Sequence, residues 1–184
     1  MADAAMISDA EKEILRKVAI DAAARAMGLH AAARPEIPAD SALARPRPVF
    51  VTWKRDGRPR GRSGTTDAAL PLASDVEAHA VVALLHDPRF PPATAKELPR
   101  YVPEISVLSS FEEISDPSGL VAGLHGVVVE KGKRRGVVLP QDGAGYGWDG
   151  GRILSQACLR AGLPEESWKG ASPPRLLRFT AEIF

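Results

Sequence analysis

The stretch PVFVTWKRDGRPRGRSG, residues 48–64, decides the fold. Val49–Trp53 is β-branched and aromatic, the composition of a half-buried strand. Asp56-Gly57 is the signal of a two-residue hairpin turn, because Gly accepts the positive φ that such a turn needs. The spacing therefore predicts a β-hairpin whose return arm carries Arg58, Arg60 and Arg62. Alternation sends those three side chains to one face, provided no bulge intervenes.

Upstream, SDAEKEILRKVAIDAAARAMG (8–28) predicts a helix. Ser8 and Glu11 form a capping box, Ile14, Leu15, Val18 and Ala22 share a face, and Gly28 is a stop. Pro35, Pro38, Pro46 and Pro48 mark a connecting loop. Downstream, PLASDVEAHAVVALLHDPRF (71–90) predicts a second helix with Ala78, Val81, Val82 and Leu85 on its apolar face, ended by Pro88. EISVLSSFEEI (104–114) reads as one strand, and LHGVVVEKGKRRGVVLPQ (124–141) as a second hairpin with a basic tip around Gly132. WDGGRILSQACLRAGL (148–163) predicts a third helix. RLLRFTAEIF (175–184) predicts a closing strand with Leu177, Phe179, Ala181 and Ile183 on one side. Two hairpins, helices between them and no βαβ rhythm give an α+β class with a mainly antiparallel sheet and flanking helices.

The totals narrow the function classes. The 184 residues suffice for one domain with a sizeable core. Lys plus Arg is 24 against 23 for Asp plus Glu, so no global charge favours nucleic acid or membrane. The single cysteine, Cys158, excludes an intrachain disulfide and a Cys-rich zinc site. No apolar run approaches the ~20 residues of a membrane span, and the reading is cytoplasmic with no membrane partner.

Local chemistry concentrates in the hairpin. Lys54, Arg55, Arg58, Arg60 and Arg62 stand against Asp56 alone. Guanidinium groups fork onto carboxylate or phosphate, and glycines admit an anion close to backbone N–H groups. A solvated edge protected by charge is the competing reading. The spacing fits neither a Walker motif nor a nucleophile elbow, since Gly64 follows Ser63 directly. His125, before a strand and beside a glycine, is an acid–base candidate or a hydrogen-bonded structural residue. Asp75, His79 and His86 form a helix stripe. The two histidines lie two turns, roughly 10 Å, apart, too far for one metal ion. No metal is expected. GAGYGW (143–148) lacks the G-x-G-x-x-G spacing, and no cofactor is expected. Cys158, mid-helix among small residues, reads as a buried hydrophobe.

Taken in order, DGRPRGRSGT, DPRFPP, EISVLSSFEEI, LHGVVVEKGKRRGVVLPQ, GWD and CLRAGLPEESWK make the chain resemble the AMMECR-domain family, also called AmmeMemoRadiSam system protein A. The resemblance covers Ala10 to Phe184. It implies two unequal lobes around a cleft, with residues 1–184 as one domain and about the first ten residues disordered. It implies no established reaction, and it suggests a Memo-like protein and a radical SAM protein as partners. The family signature Leu-Arg-Gly-Cys-Ile-Gly-Thr falls on Pro59–Thr65, with Arg62 in place of the cysteine and Ser63 in place of the isoleucine. A guanidinium is not a nucleophile, so thiol chemistry at that position is excluded.

The expected site comprises Arg60, Gly61, Arg62, Ser63, Gly64, Thr65 and Arg89 around a small anionic molecule or nucleotide, with His125 as acid or base. The alternatives are a noncatalytic module for a Memo-like or radical SAM partner, and an RNA-contacting surface made by the two basic hairpin tips. Whether there is a reaction, and whether the chain forms a homo-oligomer, the sequence leaves open.

Overall fold

The computed structural model describes residues 6–184. The chain forms two compact units, one running to Leu108 and recruiting Glu182–Phe184, the other comprising Ser109–Ala181.

The first unit begins with helix α1 (Asp9–Ala26). The Ser8 hydroxyl accepts from the Glu11 N–H, and the Glu11 carboxylate accepts from the Ser8 N–H. Together they satisfy two of the donors that a helix start leaves orphaned. Residues 1–5, half of the segment expected to be disordered, lie outside the described residues. Ile7 is 2% exposed, and its N–H donates to Glu182. Strands β1 (Val49–Arg55) and β2 (Arg58–Thr65) form the expected hairpin, with Asp56 at φ 52° and Gly57 at φ 75°. Helix α2 (Leu72–Leu85) follows, then β3 (Tyr101–Leu108). The last strand, β8 (Ala181–Ile183), completes a sheet in the order β2-β1-β3-β8, and β1 pairs antiparallel with both of its neighbours.

One face of this sheet packs on the helices. Val49, Val51, Trp53, Ile105 and Val107 join Leu15, Val18, Leu72, Val76, Ala80 and Ala83 in one core. The buried Trp53 ring places Nε1–H 2.8 Å from the Ala80 carbonyl, so its polar atom is satisfied inside the apolar layer. The buried face of α2 is Leu72, Ala73, Val76, Ala80, Ala83 and Leu84, whereas Val82 is 40% exposed and Ala78 is exposed. This corrects the expected face. Most of α2 is Ala, Val or Leu, so periodicity could not choose a side. The contact with Trp53 and Gly61 chooses it.

The second unit holds β4 (Glu112–Ile114), β5 (Gly126–Lys131), β6 (Arg134–Val138) and β7 (Arg175–Phe179) in the antiparallel order β4-β7-β5-β6. Helices α3 (Pro140–Tyr146) and α4 (Gly150–Arg160) accompany them. Val127, Val129, Val138, Ile153, Leu154, Ala157 and Cys158 form its core.

Two expectations change here, and a third segment takes a form for which no expectation was stated. EISVLSSFEEI is two strands, because the chain leaves the first sheet after Leu108 and enters the second at Glu112. RLLRFTAEIF is likewise divided at Thr180, with β7 in one sheet and β8 in the other. GAGYGW is mostly helical. Pro140 opens α3, Asp142 accepts from the Leu139 N–H, and Gly147 ends the helix at φ 62°. Those end signals outweigh two glycines, Gly143 and Gly145, inside the helix.

Candidate functional site

The hairpin register holds the decisive irregularity. Trp53 pairs with Gly61 and Lys54 with Pro59, so Arg60 is an extra residue with no partner on β1. This is a β-bulge, and it re-aims the side chain it carries. The three arginines of the return arm therefore do not line one face. The alternation expected for Arg58, Arg60 and Arg62 is broken at Arg60.

Each neighbour of the bulge has a separate task. A Cβ on Gly61 would fall on the Ala83 carbonyl oxygen of α2, and one on Gly64 would fall on the Phe50 ring. Both glycines thus permit close packing within the unit. The Arg62 guanidinium turns to the other face of the sheet, where its Nε donates to Thr52 Oγ1 at 2.9 Å. Ser63 Oγ lies 2.9 Å from His79 Nδ1 on α2. Thr65 Oγ1 accepts from the Asp67 N–H and donates to the Asp67 carbonyl, closing a local turn after the strand.

The loop after α2, residues 87–92, meets the bulge. Asp87 is 7% exposed. Its Oδ2 accepts from the Arg62 N–H at 2.8 Å, and its Oδ1 accepts from the Arg89 N–H at 3.0 Å. Arg89 closes a fork on it, Nε to Oδ1 at 2.9 Å and Nη2 to Oδ2 at 2.6 Å. The Arg89 fork brings the Asp87 carboxyl down to about 2, partly opposed by burial and helped by the two backbone N–H groups. Between the arginines lies Phe90. The Arg60 guanidinium carbon sits 4.9 Å from the ring centroid and that of Arg89 5.7 Å. Arg60 Nη2 also donates to the Pro91 carbonyl at 3.2 Å.

Arg60 makes no ion pair among the described residues: its contacts are an aromatic ring and a carbonyl, both neutral. The other basic clusters differ. At the second hairpin tip Arg135 pairs with Glu130, Lys131 donates to the Ser172 carbonyl and Arg134 to that of Gly162. Beside the N-terminus of α4 a hollow of about 330 Å³ is lined by Arg152, Ser155, Glu165, Trp168 and Lys169 among others. Its cations are matched, Arg152 by Glu165 and Lys169 by Glu166. The structure thus brings together Arg60, Arg89 and the main chain of Arg62. It sends the Arg62 guanidinium, Ser63 and Thr65 to other partners.

His125 belongs to the second unit. Its Nδ1 accepts from the Val121 N–H at 3.0 Å, which places the proton of the neutral ring on Nε2. Burial, and then the nearby Arg178 charge, lower its pKa, while Glu112 pulls the other way. Cys158 is buried and its thiol is pushed up by that burial. Among the described residues no three His, Cys, Asp or Glu side chains converge as metal ligands, and no helix is long and apolar enough to cross a membrane.

The AMMECR1 family profile matches residues 16–184. The chain belongs to the AMMECR1 family. A Thermofilum pendens protein is 40% identical over 131 residues, covering 68% of this chain. The chain spans 61% of that relative's length. A Methanothermobacter thermautotrophicus protein is 37% identical over 144 residues, covering 75% of this chain and 74% of its own. The crystal structure of an uncharacterised Pyrococcus horikoshii protein superposes with a TM-score of 0.86 at 32% identity, over 96% of this chain and 92% of that one. That structure therefore has the same fold over 96% of this chain.

Phe90, Asp87 and the bulge at Arg60 were not singled out from the sequence, although DPRFPP was. A loop that begins with a buried aspartate and carries an arginine and an aromatic two and three positions on is the signal that was available. The pairing of Ser63 with His79 was also missed. Its trace was the i, i+4 spacing of Asp75 and His79 on the helix that faces the return strand.

Proposed function

We propose that the AMMECR1 fold of this chain presents an anion-binding surface on its first unit, centred on Arg60. The observation that carries this reading is a guanidinium held over an aromatic face with no carboxylate among the described residues to neutralise it. Stacking on Phe90 engages the face of the guanidinium, and it is the edge that forks onto a phosphate or carboxylate. Arg89 supplies a second positive group on the same ring, but Asp87 holds it by two of its nitrogens. Arg60 is therefore the residue that binds and Arg89 the residue that shapes. The ligand class is a small molecule with a phosphate or carboxylate group, a nucleotide among them.

The test is unbiased. Native mass spectrometry of the purified protein, followed by titration with inorganic phosphate and adenosine monophosphate, identifies what is retained. Arg60→Ala abolishes retention, whereas Arg62→Ala, whose guanidinium faces Thr52, leaves it in place. Equal retention by the Arg60→Ala protein overturns the reading. A Memo-like or radical SAM partner, implied by the family resemblance, would be tested separately by copurification.

A further inference from the structure

The hollow beside α4 lies in the second unit, and what it holds does not depend on anion binding at Arg60. Its volume of about 330 Å³ is that of a site for a small molecule. Trp168 gives it an aromatic wall. The indole Nε1–H donates to Ser155 Oγ at 3.2 Å, and Ser155 is 4% exposed, so a buried partner fixes the ring. Lys169 Nζ sits 4.7 Å from the ring centroid and pairs with Glu166. The chain thus places one of its own primary ammonium groups on an aromatic face with a carboxylate beside it, an arrangement that recognises organic cations. Both partners are largely exposed, 55% for Lys169 and 60% for Glu166, so the pair is weak and the ammonium exchangeable.

The rest of the lining carries an excess of acceptors. Asp149 Oδ1 accepts from the Arg152 N–H at 2.7 Å, which caps α4 and offsets the positive end of its dipole. Glu165 Oε1 accepts from the Arg152 guanidinium. Asp149 Oδ2 and Glu165 Oε2 accept no hydrogen bond among the described residues. With the Lys169 ammonium turned away, three carboxylates, Asp149, Glu165 and Glu166, stand against the single guanidinium of Arg152. That balance repels an anion and is neutralised by a dication. We propose that the hollow binds a small aliphatic diamine. One ammonium takes the place of Lys169 Nζ on Trp168 and Glu166. The other donates to the uncommitted oxygens of Asp149 and Glu165, through charge-assisted hydrogen bonds. Lys169 is then an internal competitor that holds the aromatic subsite until the ligand arrives.

The experiment is a titration of the full chain with putrescine, read by NMR at the Trp168 indole Nε1–H, a signal assigned through Trp168→Phe. The expected result is a saturable shift that butanediol, its neutral counterpart, does not produce. Butylamine, with one ammonium, binds on the order of 10-fold more weakly than putrescine. Lys169→Ala, which removes the competitor, binds putrescine about 5-fold more tightly. The double variant Asp149→Asn, Glu165→Gln keeps a capping residue on α4 and binds on the order of 10-fold more weakly. Because the unsubstituted protein must itself bind, misfolding of a variant cannot protect the proposal. No shift of the Trp168 signal in that protein overturns it, as does an equal shift with butanediol, which makes the hollow a polyol site. Equal affinity for butylamine and putrescine overturns the second ammonium subsite. Lys169→Ala binding no more tightly than the unsubstituted protein overturns the exchange of ammonium groups.

Discussion

Asp87 Oδ2 receives the main-chain N–H of Arg62 at 2.8 Å, tying the loop after α2 to the strand that carries the bulge. The two most distinctive motifs of the sequence are thus one structural object, and the Asp87 carboxyl is brought down to about 2 within it. A carboxyl whose folded pKa lies below its unfolded value stabilises the native state fully above the unfolded pKa, near 4, and loses that contribution as pH falls towards 2. The size is on the order of 2 kcal/mol, given the shift from 3.8 to about 2. Urea unfolding of the native chain and of Asp87→Asn checks this. The stability gap is constant above about pH 5 and closes between about pH 4 and pH 2.

Asp75 has the opposite sign. Burial raises its carboxyl above the ordinary range, with no hydrogen bond to Oδ2 to offset the cost. The folded state therefore binds its proton more readily than the unfolded state, and ionisation weakens the fold. Asp75→Leu is expected to raise stability near neutral pH by about 1 kcal/mol, with the gain shrinking as pH falls through the folded pKa. Thermal unfolding at a series of pH values reads this directly. A loss of stability at neutral pH would show that Asp75 has a partner in solution.

Gly61 is the tightest point of the hairpin. A Cβ there meets the Ala83 carbonyl, a backbone atom that cannot rotate aside. Gly61→Ala is expected to cost about 1–3 kcal/mol through displacement of α2 from the sheet. Gly57→Asn, at φ 75° with nothing within 4 Å of the added atom, is expected to be far milder. Chemical denaturation of the two variants separates packing from turn conformation.

Trp53 joins the same layer by its indole N–H. Trp53→Phe deletes the 2.8 Å bond to the Ala80 carbonyl and leaves a gap beside α2. The expected loss is about 2 kcal/mol, from an unmade hydrogen bond and a small cavity together. Near-UV circular dichroism and urea unfolding measure it.

The fold was legible where a residue has one local meaning. Asp56-Gly57 fixed a turn, Ser8 with Glu11 fixed a helix start, and the α+β class followed from hairpins without βαβ crossovers. What was not legible depended on partners distant in sequence. The face of α2 is chosen by Trp53 and Gly61, residues that a helical period does not contain. The division of EISVLSSFEEI and of RLLRFTAEIF between two sheets leaves no mark on strand propensity, since which sheet each half joins is decided by partners distant in sequence. Helix α3 is held by its ends against the glycines within it. At the site, Arg60 was visible as a cation, but the extra residue that re-aims it exists only in the register between β1 and β2. The resemblance to the AMMECR-domain family located the hairpin, and its signature could not foretell that Ser63 would meet His79.

Anion binding by Arg60, stacked on Phe90 and unmatched by any carboxylate among the described residues, is the proposal on which the functional reading stands. Its most direct measurement is an NMR titration with inorganic phosphate that follows the Arg60 Nε–H signal and the amides of Arg89 and Phe90. Saturable shifts are predicted at these positions, lost in Arg60→Ala and weakened by added salt. Phosphate that leaves these signals unmoved, or that moves the Arg89 and Phe90 amides equally in Arg60→Ala, contradicts it.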